Sequence, residues 1–169
     1  MRKLQNLTLK PAATLDAGPI AAMSRELIET GLGWAWTPER VLRCLRHRDT
    51  QVLIACDGAQ KNNGRLTGFA IMLFGDDRAH LSLLAVRPDY QHNGVGGKML
   101  EWLTQSALTA GIATIHLELR ERNLGARQFY FKQGYTETAR IPGYYRGVET
   151  AVRMLRDIRV KKQNPESAG

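Results

Sequence analysis

The sequence predicts an α+β fold: helices packed on a mixed central sheet, about seven strands and about four helices in all. Three observations predict it. Strand-like and helix-like stretches succeed one another as β-α-α-β-β-β-α-β-α-β-β, neither a continuous run of strands nor a strict strand–helix alternation. Three successive strands, QVLIAC, LTGFAIMLF and AHLSLLAV, are joined by short polar turns and so pair antiparallel. The unit that follows, from LSLLAV through KMLEWLTQSAL to TIHLELR, is a strand, a crossover helix and a parallel strand.

Each element has a local reason. LQNLTLKP carries apolar residues at Leu4, Leu7 and Leu9 and ends at Pro11, so a first strand runs from about Leu4 to Lys10. Thr14 or Asp16 then caps a helix holding Ile20, Met23, Leu27 and Ile28, which stops near Gly31 or Gly33. Thr37-Pro38-Glu39 starts a second helix, with a capping hydroxyl and proline at the first helical position. Val41, Leu42 and Leu45 form its apolar side, and Arg46, His47 and Arg48 suit its negative end. After QVLIAC, the polar turn DGAQKNNGR leads to LTGFAIMLF, and GDDR leads to AHLSLLAV. The next helix ends at Gly111. TIHLELR alternates, with Ile115, Leu117 and Leu119 on one side and His116, Glu118 and Arg120 on the other. Asn123 caps GARQFYFKQ, which stops at Gly134. YTETARI is a strand; GVETAVRMLRDI reads as the last strand, although its apolar spacing also permits a helix.

Size and composition bound the function. The chain has 169 residues, which suits one domain over residues 1–160, with the polar tail 161–169, KKQNPESAG, expected to be disordered. No apolar run approaches the roughly 18 residues of a membrane span. MRKLQNLTLKP lacks an apolar signal region, so the expected location is the cytoplasm. Cys44 and Cys56 have the spacing of neither a zinc site nor a disulfide framework, and no metal is expected. The net charge of +8 suits an anionic ligand; a nucleic-acid partner would rest on that charge alone.

The chemistry concentrates in LAVRPDYQHNGVGGKMLEWLTQSAL, residues 84 to 108. A strand feeding a glycine-rich loop feeding a helix is a phosphate-binding arrangement, because the first amides of a helix lack internal partners and carry partial positive charge. Gly94, Gly96 and Gly97 remove side chains that would hold a phosphate away. The loop is not GxxxxGK[ST], and GVGGKM lacks the third glycine of GxGxxG. A turn that merely caps a helix is the plain alternative. Gln91-x-x-Gly94-x-Gly96 after a strand ending Val-Arg-Pro resembles the coenzyme A loop of the GNAT superfamily of acetyl-CoA-dependent N-acetyltransferases.

A second match lies in LELRERNLGARQFYFKQGYTETARIPGYY, residues 117 to 145. Leu117-Glu118-Leu119-Arg120, Asn123, Phe129-Tyr130, Gly134-Tyr135 and Tyr144-Tyr145 resemble the branch that acetylates protein N-termini, the ribosomal-protein alanine N-acetyltransferases. The resemblance implies the GNAT three-layer fold over nearly the whole chain. It implies acetyl-CoA as acyl donor, a primary amine as acceptor and direct attack in a ternary complex. The acceptor is a protein N-terminus or a small amine; Tyr144 and Tyr145 favour the first. A non-catalytic acyl-CoA sensor is the other class, and a homodimer stays open.

The resemblance also implies roles. Residues Gln91, His92, Asn93, Gly94, Val95, Gly96 and Gly97 would wrap the diphosphate. Leu84, Ala85 and Val86 would sit where the strand splays from its parallel neighbour, pairing with the pantetheine amides and offering an N–H to the thioester oxygen. Asn123 would touch the pantetheine arm, a role compatible with its capping one. Glu118 would accept the amine proton, directly or through water, because an α-amino group has a pKa of about 8 and is largely protonated at neutrality; a solvated glutamate is its alternative. Tyr130 would donate to the leaving thiolate, uphill by roughly 1.5 pKa units or about 2 kcal/mol; a core aromatic is its alternative. Trp34 and Trp36, beside glycines in GLGWAW, would help shape the acceptor pocket with Tyr144, or else close the core.

Overall fold

The computed structural model describes residues 6–58 and 64–160. Leu4 of the expected first strand, residues 59–63 of the polar turn and the tail 161–169 lie outside the described residues.

Seven strands form one sheet: β1 (Leu7–Pro11), β2 (Thr50–Asp57), β3 (Arg65–Phe74), β4 (Arg78–Val86), β5 (Thr114–Arg120), β6 (Thr136–Tyr145) and β7 (Glu149–Asp157), in the spatial order β1-β2-β3-β4-β5-β7-β6. All neighbours are antiparallel except β4 and β5, the parallel pair expected from the crossover helix. The last segment is therefore a strand, inserted between β5 and β6. Four helices cover the sheet: α1 (Ala17–Leu27), α2 (Pro38–Arg46), α3 (Val95–Thr109) and α4 (Leu124–Lys132).

Alternation divides the strands between two cores. On one face Leu53, Ala55, Ala70, Met72, Ile115, Leu117 and Leu119 pack with Met99, Leu100 and Leu103 of α3 and Tyr130 of α4. On the other, Val52, Ile54, Phe69 and Ile71 pack with Ile20 and Met23 of α1 and Val41 of α2.

Strand β4 serves both cores, through a bulge. Ile71 pairs with Leu83 but Met72 pairs with Leu81, which leaves Ser82 as an extra residue. Before it, Ala79 and Leu81 face α3. After it, Leu83 and Ala85 face α1 and α2, while Leu84 and Val86 turn toward α3. One inserted residue reverses which side of the strand each later side chain serves.

The helix caps follow their local chemistry. Thr37 Oγ1 accepts from Arg40 N at 3.4 Å with Pro38 behind it, and Asn123 Oδ1 accepts from Ala126 N at 3.1 Å. Gly111 and Gly134 follow α3 and α4 with φ of 83° and 91°. The expected end of α1 needs correction. Asp16 stands at its N-cap position, but its side chain bonds no helix amide; the carboxylate accepts from Ala13 N at 2.7 Å and closes a separate 3-10 turn over Thr14–Asp16. The helix ends at Leu27, because the Glu29 amide turns back to Ser24 O at 2.9 Å, and Gly31 and Gly33 belong to the loop beyond.

Candidate active site

The site begins where β4 and β5 part. They pair only at Arg78↔Thr114, Ala79↔Ile115 and His80↔His116, yet β4 continues to Val86 and β5 to Arg120. Leu84, Ala85 and Val86 pair with β3 on one side and have no strand partner on the other. This is the splay expected near those residues, with backbone groups open to an added extended chain.

The glycine loop closes the C-terminal end of β4. Among the described residues, the six amides from His92 to Gly97 donate to no protein acceptor; the helical ladder starts only with Lys98 N to Gly94 O at 3.0 Å. Positive φ at His92 (62°) and Gly94 (77°) turns the chain into the helix. Gln91 Nε2 donates to Val86 O at 3.0 Å, and Asn93 Nδ2 to Tyr90 O at 3.4 Å, so both side chains brace the loop. The glycines of the loop differ in their surroundings. A Cβ at Gly94 would meet nothing within 4 Å, so this position is open, but one at Gly96 would lie 3.2 Å from Phe129 Cζ and one at Gly97 3.4 Å from Gln133 Nε2. Gly96 is therefore crowded by Phe129 of α4, whereas at Gly97 a Cβ would make only an ordinary contact. The loop fits a diphosphate by its unbonded amides and its bare turn.

Across the splay, β5 carries an ionic cluster. Glu118, with its side chain 8% exposed, accepts from His80 Nε2 at 2.6 Å through Oε2 and from Arg153 Nε of β7 at 3.0 Å through Oε1. The His80 hydrogen bond first, against the cost of burial, and then the charges of His80 and Arg153 pull its carboxyl down to about 2. His80 stacks on His116 with ring centres 4.7 Å apart, and its Nδ1 faces Ser82 Oγ at 3.3 Å. His116 Nδ1 is buried without a hydrogen-bond partner among the described residues, and burial holds that imidazole below its usual range. His80, His116 and Glu118 each offer a donor atom within 4.8 Å of the others. Both Glu118 oxygens are already engaged, one of them by a guanidinium, so the cluster suits proton handling better than a cation.

Sequence reading singled out Glu118 but not its partners. His80 and Arg153 are 38 and 35 residues away and meet it only through the β4–β5 and β5–β7 registers. A strand pattern shows that His80 and Glu118 are polar positions, but not that their side chains meet.

Tyr130 lies on the α3 side of the sheet, 7% exposed, edge-on to Phe129 and Tyr135 at ring distances of 5.0 and 5.6 Å. Its hydroxyl has no hydrogen-bond partner among the described residues. Burial pushes it well above the usual phenol range. The consecutive aromatics point apart as expected: Phe131 is 66% exposed while Tyr130 is buried. Asn123 spends its Oδ1 on the helix cap, which leaves its amide nitrogen for other contacts.

On the α1–α2 side a cleft of about 630 Å³ opens over β4 and β5. His80, Ser82 and Glu118 form its floor, Trp36 and Arg40 one wall, and Tyr144, Tyr145 and Arg146 the other. Glu29, 7% exposed, holds the first wall: Oε1 accepts from Ala35 N at 2.7 Å and Trp36 N at 3.1 Å, and Oε2 from Ser24 Oγ at 2.9 Å. Of the two tryptophans expected here, Trp36 lines this cleft. Trp34 lines a separate depression with Arg25 and Thr30, its indole donating to Ala21 O at 3.2 Å. Tyr144 stands edge-on to Tyr145 at 4.9 Å on the cleft rim.

The model of the GNAT acetyltransferase family matches residues 21–135. Over 83 residues the chain is 39% identical to the [ribosomal protein bS18]-alanine N-acetyltransferase of Escherichia coli strain K12. That match covers 49% of this chain and 56% of the relative, so the chain spans little more than half of the curated protein it resembles. The crystal structure of the ribosomal-protein-S18-alanine N-acetyltransferase from Escherichia coli superposes with a TM-score of 0.76 at 26% identity, covering 94% of this chain and 98% of that one. The paia N-acetyltransferase of Thermoplasma acidophilum, solved with coenzyme A, shares the fold, with a TM-score of 0.73 at 18% identity over 90% and 99% of the two chains.

Proposed function

The chain belongs to the GNAT acetyltransferase family, and from that membership we propose that it moves an acetyl group from acetyl-CoA to a primary amine, by direct attack in a ternary complex. The observation that carries the reading is the early parting of β4 and β5 beside six unbonded amides at the start of α3. An extended donor can lie in the gap with its diphosphate on those amides and its reactive end between the two faces of the sheet.

Bound acetyl-CoA supplies the activated acetyl thioester. Residues 92 to 97 hold the diphosphate, braced by Gln91 and Asn93. Leu84, Ala85 and Val86 present the backbone edge that aligns the pantetheine arm and offers an N–H to the thioester oxygen. Asn123 uses its amide nitrogen on the same arm. Tyr130, kept protonated by burial, donates to sulfur as the thiolate leaves.

The amine proton goes to the Glu118–His80 pair. A carboxylate held near 2 is a poor base alone. Glu118 and His80 form one hydrogen-bonded unit at 2.6 Å, and such a unit can take a proton from the attacking amine through water and share it. Trp36 and Tyr144 bound the space for the acceptor. The relative's name favours a protein N-terminal amine.

The test is thiol release from acetyl-CoA by the purified protein, with N-terminal peptides and small amines as acceptors, alongside calorimetry with acetyl-CoA. Amine-dependent release supports the enzyme. Binding without release for every amine would make the chain an acyl-CoA sensor, and absence of binding would end both readings.

A further inference from the structure

The acceptor cleft is lined by two acids, and both are spent internally. Glu29 is satisfied by two backbone amides and a serine hydroxyl, and Glu118 by His80 and Arg153. The cleft's cations are not. Among the described residues, seven arginines pair with a carboxylate. Arg40, Arg43 and Arg146 line the cleft, and among the described residues none of the three does.

One of the three is held in place, and a second lies against the opposite wall. The Arg40 guanidinium lies 3.8 Å over the Trp36 ring. Arg146 reaches from the β6–β7 turn to Gly33 of the opposite wall, where a Cβ would come within 2.6 Å of its Nη2. Gly33 thus leaves room for that guanidinium. Side-chain entropy opposes fixing long cations without a purpose, and arginine forks match carboxylates and phosphates. None of residues 91–97 lines this cleft, so these cations face the acceptor side and not the diphosphate loop.

We propose that Arg40, Arg43 and Arg146 select an acceptor whose primary amine is joined to an anion, a carboxylate a few bonds away. This rests on the acetyltransferase reading above. An acceptor with only its ammonium charge is repelled by three unpaired guanidiniums. An anion on the same molecule reverses the sign and orients the amine toward Glu118 and His80. The same chemistry is offered by a polypeptide whose N-terminal residue is followed by Asp or Glu, and by a small acidic amine such as a free dicarboxylic amino acid.

The experiment compares kcat/KM, at fixed saturating acetyl-CoA, for peptides beginning Ala-Asp-Glu, Ala-Asn-Gln and Ala-Lys-Arg, and for free glutamate against free glutamine. In the unsubstituted protein the acidic member of a series should exceed its amide counterpart at least tenfold. Preference in the peptide series identifies a polypeptide N-terminus, and preference only in the free series a small acceptor. In Arg43→Gln, Arg146→Gln and the double variant the ratio should fall toward one, with melting temperature reporting that the fold is kept. Turnover of amide or basic peptides as fast as acidic ones overturns the proposal while the enzyme stands. So does a preference that survives in the folded double variant. No release with any amine overturns the acetyltransferase reading and this proposal with it.

Discussion

At the scale of single residues, the two proposed proton-handling groups sit in opposite environments. Tyr130 is dry, unpaired and raised; Glu118 is ion-paired and lowered to about 2. Removing only the Tyr130 hydroxyl, as Tyr130→Phe, should lower kcat tenfold or more, about 1.4 kcal/mol of transition-state stabilisation, while calorimetric binding of acetyl-CoA changes little. Unchanged turnover would leave Tyr130 as a core aromatic only. Glu118→Gln should lower kcat/KM at neutral pH and recover part of the loss as pH rises and the amine loses its own proton. The same substitution has a stability signature. A carboxyl whose folded pKa is depressed stabilises the fold above its unfolded value of about 4.5 and loses that contribution as pH falls toward 2. The melting difference between the protein and Glu118→Gln should therefore be full at neutral pH and shrink below pH 4.5, as read by thermal unfolding across a pH series.

At the scale of elements, the sequence shows what is local and hides what depends on pairing. Thr37-Pro38, Asn123, Gly111 and Gly134 are legible because caps are made by neighbours in the chain. The alternation of Ile115, Leu117 and Leu119 is legible because one face is buried. The bulge at Ser82 is not, since an extra residue in LSLLAV looks like unbroken apolar pattern until β3 fixes the register. That bulge brings Ser82 and Leu83 to the cleft side together. The loop glycines show the same limit. Gly94 is required by φ of 77°, a local fact, whereas Gly96 is required by Phe129, 33 positions on. Gly94→Ala should cost about 1–2 kcal/mol for a left-handed non-glycine residue. Gly96→Ala should cost about 1–3 kcal/mol by overpacking, and less when Phe129→Leu is already present. Chemical denaturation of the two single variants and the double variant measures this coupling; a strictly additive double variant would remove Phe129 as the cause.

At the scale of the whole molecule, the sheet separates the two sites proposed for donor and acceptor. The glycine loop and Tyr130 belong with α3 and α4, the cleft over His80 and Glu118 with α1 and α2, and the parting of β4 from β5 joins the two sides. Such a passage lets donor and acceptor be bound at once from opposite sides, so no residue has to carry the acetyl group between them. The chain's one thiol in the cleft argues the same way. Cys44 lines it from α2, but burial pushes that thiol up, and Arg40 and Arg43 only partly offset this. A thiol held protonated is a weak nucleophile. Initial rates measured over both substrates should therefore give intersecting reciprocal plots. Mass spectrometry of the protein incubated with acetyl-CoA alone should show no acetyl gain on Cys44. Parallel plots with an acetylated Cys44 would mean that the acetyl group pauses on the protein, and that the gap between β4 and β5 is not where the amine meets the thioester.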